Sequence, residues 1–194
     1  MKFRRLLLAH AAALGLGTAN QALAISKFIS RDDPTGDFNA SGRGPAAGPD
    51  ATPYNAAKLV LAALAGGAQT RLPSTVPALF MTRPAGTDSG VASIVGDDTA
   101  EKEHPTAVCP ITHAPCFGDA VKAILASSAT AESVDRIEVM QGASCGSICF
   151  RDGRVARFVD NHTARRLASG DGAVRVTATI GGAVLRDIAL DIAR

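Results

Sequence analysis

Four thiols, two nearby imidazoles and one glycine-flanked serine are the side chains whose types and spacing could do chemistry in this 194-residue chain. Cys109, Cys116, Cys145 and Cys149 form an even set, which in an exported chain reads as two disulfides. Four cysteines allow three pairings. The local pairing, Cys109–Cys116 with Cys145–Cys149, is expected because sequence neighbours meet first. The crossed pairings would tie distant segments and constrain the unfolded chain more. A second chemistry uses some of the same residues. His104, Cys109, His113 and Cys116 fall within thirteen residues, and thiolate with imidazole is a donor set for Zn or Cu(I). The spacing is not that of a zinc finger, and Pro105, Pro110 and Pro115 stiffen the loop. Cys145-Gly-Ser-Ile-Cys149 is C-x3-C rather than the redox C-x2-C, and no haem-attachment motif is present.

Gly142-Ala-Ser144-Cys-Gly146 matches G-x-S-x-G. In a hydrolase built on that turn, Ser144 would be the nucleophile and His162 the base. Asp160, or Asp152, would orient the imidazole. Such a serine sits between a strand and a helix. A strand is expected before it, but a hairpin with an Asp152-Gly153 turn is expected after it. A glycine-rich turn beside a bridged cysteine accounts for the same residues, so a secreted serine hydrolase stands as the alternative reading. The sequence contains no phosphate-binding loop, dinucleotide fingerprint, calcium loop or H-E-x-x-H, and no cofactor is expected.

Arg151, Arg154, Arg157, Arg165 and Arg166 form a local basic cluster that could meet an anionic surface. Overall the chain has 20 basic and 18 acidic side chains, 4 % aromatic residues and no Trp. That balance excludes a strongly basic nucleic-acid binder, and the scarcity of rings argues against a base-stacking platform.

The elements that must position these residues begin with an export signal. Lys2, Arg4 and Arg5 precede an apolar run from Leu6 to Leu16, and Ala22-Leu23-Ala24 supplies the small residues of a cleavage site. The run is shorter than the roughly 20 residues a bilayer span needs. Residues 1–24 are therefore expected to be a signal peptide, with no transmembrane segment after it. Without Lys2, Arg4 and Arg5 the chain keeps 17 basic and 18 acidic groups. Residues 25–54, rich in Gly, Pro and Asp, are expected to be a flexible arm, and residues 55–194 a single domain. Asn55–Ala65 reads as a helix that Asn55 caps and Gly66-Gly67 ends. Short apolar pieces at 78–81 and 91–95 read as strands. Phe117–Ser128 reads as an amphipathic helix and Val134–Met140 as a strand. A two-residue turn at Asp152-Gly153 pairs Phe150 with Val155 and Ile148 with Arg157. Asn161 can cap a short helix, Thr163–Ala168. A final hairpin, turning at 181–183, pairs Ile180 with Val184 and Val176 with Ile188.

The expected fold is thus α+β. A small antiparallel sheet of hairpins carries helices packed on one face, is disulfide-stabilised, and follows a flexible arm. The expected function is that of an exported, periplasmic or secreted bacterial binding or interaction protein. It would act on a protein or envelope partner through the Cys109–Cys116 loop or the basic hairpin. The hydrolase and a metal-handling protein are the alternatives.

Overall fold

A computed structural model describes residues 1–17, 50–66, 72–85, 108–109, 112–160 and 176–194, together with Ile25, Lys27 and Ile29. The fold is α+β. Six helices occur among the described residues: α1 (Phe3–His10), α2 (Pro53–Ala65), α3 (Leu72–Phe80), α4 (Phe117–Leu125), α5 (Ser128–Ser133) and α6 (Gly182–Ala193). Five strands, β1 (Arg83–Pro84), β2 (Val134–Met140), β3 (Cys145–Phe150), β4 (Val155–Val159) and β5 (Thr177–Gly181), form one antiparallel sheet in the order β1-β4-β3-β2-β5.

Helix α2 starts two residues inside the segment expected to be an arm. Its cap is Thr52, whose hydroxyl accepts from the Asn55 amide at 3.2 Å, and Pro53 follows at the start of the helix. Gly66 ends it in the left-handed conformation, φ 58°. The piece expected to be a strand at 78–81 lies mostly in α3, which carries Pro77 within it and buries Leu72, Val76 and Leu79. Those three positions recur at helical spacing, and a four-residue apolar run is too short to show it. The expected helix at 117–128 is broken after Leu125. Ser127 starts α5 by accepting from the Thr130 amide at 3.3 Å.

The β3–β4 hairpin differs from expectation by one residue. Cys149 faces Val155, Ile148 faces Ala156 and Ser147 faces Arg157. The loop therefore holds Arg151, Asp152 and Gly153, with Gly153 at φ 88°. Asp152 braces it by accepting from the Arg154 amide at 3.0 Å. A one-residue slip turns every side chain over. Here it replaces the poor Ile148–Arg157 pair with an apolar one and sends Arg157 outward.

Only the first half of the expected final hairpin forms. Thr177–Gly181 is a strand, but the chain after it is a helix. Leu185, Ile188 and Ala189 are buried while Leu190 is 41 % exposed, the signature of period 3.6 rather than 2. β5 pairs instead with β2, Ile180 against Ile137.

The domain is not disulfide-stabilised in this structure. Cys109, Cys116, Cys145 and Cys149 are all buried thiols outside any disulfide. Strand β3 itself forbids the Cys145–Cys149 bridge. Residues four apart in a strand lie about 13 Å apart, and a disulfide needs Cα atoms within about 7 Å. The core does the holding: Leu59, Leu61 and Leu64 of α2, Phe117, Ile124 and Leu125 of α4, and Ile137, Ile148 and Phe158 of the sheet. Phe117 and Phe158 stack with ring centroids 4.9 Å apart.

The N-terminal segment belongs to that core. Phe3, Leu6, Leu7 and Leu14 are buried, α1 packs on α2 and α6, and His10 Nε2 lies 3.0 Å from Asp191 Oδ2 of α6. The strand expected at 91–95, the helix at Thr163–Ala168 and residues 30–49 of the arm lie outside the described residues. No helix is long and apolar enough to cross a membrane, among the described residues.

Candidate functional site

The helices cover one face of the sheet. Ile137, Val139, Gly146, Ile148, Ala156, Phe158 and Ile180 point toward them; an added Cβ on Gly146 would meet the Phe117 ring at 2.6 Å. Alternation then sends the intervening residues to the other face. The pairing registers put Thr179, Glu138, Ser147 and Arg157 in one row across β5, β2, β3 and β4. Met140 faces Thr177 and Cys145 faces Val159 beyond it; Arg136 faces Cys149 on the other side.

The polar row is internally bonded. Ser147 Oγ donates to Glu138 Oε2 at 3.2 Å, and Arg136 Nε donates to Glu138 Oε1 at 2.6 Å. Arg136 also reaches Asp135 at 2.6 Å, and its guanidinium is held protonated by these two carboxylates, Glu138 first. Beside the row is a cavity of about 210 Å³ lined by Ala85, Glu138, Met140, Cys145, Gly146, Ser147, Arg157, Phe158, Val159 and Thr177. Its wall is mainly apolar, with Glu138 and Arg157 as its charges. A shallow apolar hollow with a few convergent polar groups is how small-ligand sites are built.

Two of the thiols, Cys116 and Cys149, are held in the protonated form. Burial pushes Cys149 above its ordinary 9.0, and the Glu138 carboxylate adds to the effect. Burial also raises Cys116, whose Sγ–H donates to Asp119 Oδ2 at 3.3 Å. The thiolate is the reactive form, so both groups are poor nucleophiles at neutral pH. We expect native Cys116 and Cys149 to alkylate at least ten times more slowly than after unfolding, read by mass spectrometry of iodoacetamide-treated chain. Equal rates would show that neither is shielded. The linkage has one sign. A thiol whose pKa is higher folded than unfolded leaves stability intact below about pH 9, and stability is lost as pH rises toward the folded value.

The other sequence candidates are dispersed. Ser144 lies in the turn between β2 and β3, with Gly142 at φ 80° and strands on both sides. The Asp160 amide donates to the Ser144 carbonyl at 3.2 Å, so those two are neighbours through their backbones. His162 lies outside the described residues, as do His104, Arg165 and Arg166. His113 is exposed at φ 52° in a loop closed by two backbone bonds, the His113 amide to the Cys109 carbonyl and the Cys109 amide to the Ala114 carbonyl. No group of three metal-ligating side chains comes together among the described residues. Of the basic cluster, Arg154 pairs with Asp152 at the hairpin tip, Arg151 reaches the Val134 carbonyl, and Arg157 stands in the polar row. Sequence reasoning missed Glu138, Ser147 and Thr179 as site residues. Their alternation with apolar neighbours was visible, but which strands adjoin was not. No protein-family model matches the chain, and no curated protein or solved structure is significantly similar to it.

Proposed function

We propose that the protein is exported and works by binding rather than catalysis, using the outward face of its sheet. The observation that supports this most is the hollow beside the Thr179–Glu138–Ser147–Arg157 row, apolar in its wall and charged at two points. It suits a small amphipathic ligand or a peptide side chain with an anionic group for Arg157. The periplasmic or secreted setting is carried by the Lys2–Ala24 pattern. The reaction chemistry that a hydrolase needs has less to stand on, because Ser144 is followed by a strand where such a serine precedes a helix.

The test uses anilinonaphthalene sulfonate, which has apolar rings and one fixed negative charge. Native chain is expected to show saturable one-site fluorescence. Arg157→Glu should weaken it about tenfold, or about 1.4 kcal/mol, because attraction of the sulfonate becomes repulsion. Arg154→Glu, at the hairpin tip, should leave it unchanged. Non-saturable binding, or equal affinity in both variants, rejects this face as the site. A fluorophosphonate probe that labels the native chain and not Ser144→Ala would favour the hydrolase instead.

A further inference from the structure

The apolar residues that the export reading needs are residues that the folded domain buries. Phe3, Leu6, Leu7 and Leu14 have at most 5 % of their surface exposed. Arg4, Arg5 and Leu8 face solvent. The anchors fall at helical spacing, so α1 presents one apolar stripe to α2 and α6. Two polar contacts set its position along that surface. His10 meets Asp191 of α6, with both side chains mostly covered, and Lys2 Nζ lies 3.0 Å from Asp50 Oδ1. The Ala51 amide also donates to the Met1 carbonyl at 2.7 Å, which ties the start of the chain to the start of α2.

We infer that the surface formed by α2 and α6, with Asp191 at its edge, is a helix acceptor whose resident occupant is the chain's own leader. This rests on the proposed export. One apolar stripe cannot lie against the domain and enter a membrane or a translocation site at once. Folding and export therefore compete for residues 3–14, and the folded chain withholds its leader. Asp191 is the position that exposes the competition, because it lies far from the leader in sequence and changing it leaves the leader's own residues intact. It also bonds Arg194 at 3.2 Å, an exposed contact that serves as the control.

The experiment follows the full chain by pulse-chase in a Gram-negative host, reading the shift from precursor to processed size. Asp191→Asn should be processed at least three times faster than wild type, and Arg194→Ala at the wild-type rate. Purified unprocessed chain gives the second reading. Amide hydrogen exchange across residues 3–16 should be at least tenfold faster in Asp191→Asn, with β2 and β3 protected as in wild type. Loss of protection in β2 and β3 as well would mean general unfolding, and would remove Asp191 as a specific anchor. Equal processing of wild type and Asp191→Asn overturns the competition while leaving export standing. Absence of any processed form in all three chains overturns the export reading itself, and the competition with it.

Discussion

Gly182→Ala should destabilise the domain by about 3 kcal/mol, although it places the best helix former inside a helix. Propensity alone favours Ala over Gly, by up to about 1 kcal/mol in a helix interior and by less at the first position, where Gly182 sits. Packing opposes it. A Cβ on Gly182 would overlap the Val134 carbonyl, and the Asp135 carbonyl oxygen stands 3.2 Å away. Both obstacles are backbone. They sit at the start of β2, which is paired on both sides by β3 and β5. A rotamer change cannot relieve the overlap, so α6 or β2 must shift, and overpacking of that kind costs about 1–3 kcal/mol or more. For a domain of this size the melting midpoint should fall by roughly 6–12 °C. The neighbouring residue is the control. Gly181 has nothing near its absent Cβ and no side-chain cap bond to give α6. Gly181→Ser should gain a few tenths of a kcal/mol by capping the helix. Thermal melts of the two variants that moved in the same direction would refute the argument.

The parts of this fold that were legible in the sequence are those where a local rule and the tertiary structure agree. Gly66 ends α2 as its sequence suggests, although Thr52 rather than Asn55 caps its start, and Ile137 and Val139 alternate with Arg136 and Glu138 in β2. The parts that were not legible are those where two periods fit the same letters. Val184, Ile188, Leu190 and Ile192 satisfy a strand; Leu185, Ile188, Ala189 and Ile192 satisfy a helix. The choice falls to burial: the helix lets Leu185 and Ile188 vanish into the core against α4, α5 and β2. The β3–β4 register failed for a related reason. Asp152-Gly153 is read as a two-residue turn, but Arg151 joins the loop, and only the sheet's far strands reveal that Arg157 must face outward.

The candidate site inherited both problems. Its four polar residues sit on four strands and lie at least nine positions apart in the sequence. A row of this kind exists only once strand order is known, which is a non-local property. The cysteines misled in the opposite way. Their even count pointed to bridges, but Cys145 and Cys149 share a face of one strand and point in the same direction without meeting. An extended backbone keeps apart what sequence proximity brings together.

Phe117→Ala should have the largest effect of any single change, about 3–5 kcal/mol, the usual loss for a fully buried phenylalanine. Phe117 begins α4, has no exposed surface, stacks on Phe158 and lies against Gly146. It is therefore the bridge between the helical layer and the strands whose other face forms the hollow. Two consequences separate it from an ordinary core residue. Phe117→Leu, which keeps most of the volume, should cost under about 1.5 kcal/mol and leave dye affinity unchanged. Phe117→Ala should also loosen dye binding at temperatures where the chain is still folded, because Gly146 and Phe158 line the hollow. The coupling to Gly146 gives the sharper result. Alone, Gly146→Ala drives a methyl into the Phe117 ring at 2.6 Å and crowds the Glu138 carbonyl at 2.9 Å. With the ring gone, only the second clash remains. The double variant should therefore be more stable than the sum of the single losses implies, by about 1 kcal/mol in a urea-denaturation cycle. Strict additivity would show that the ring does not carry the contact between α4 and β3, and that the hollow is supported from elsewhere.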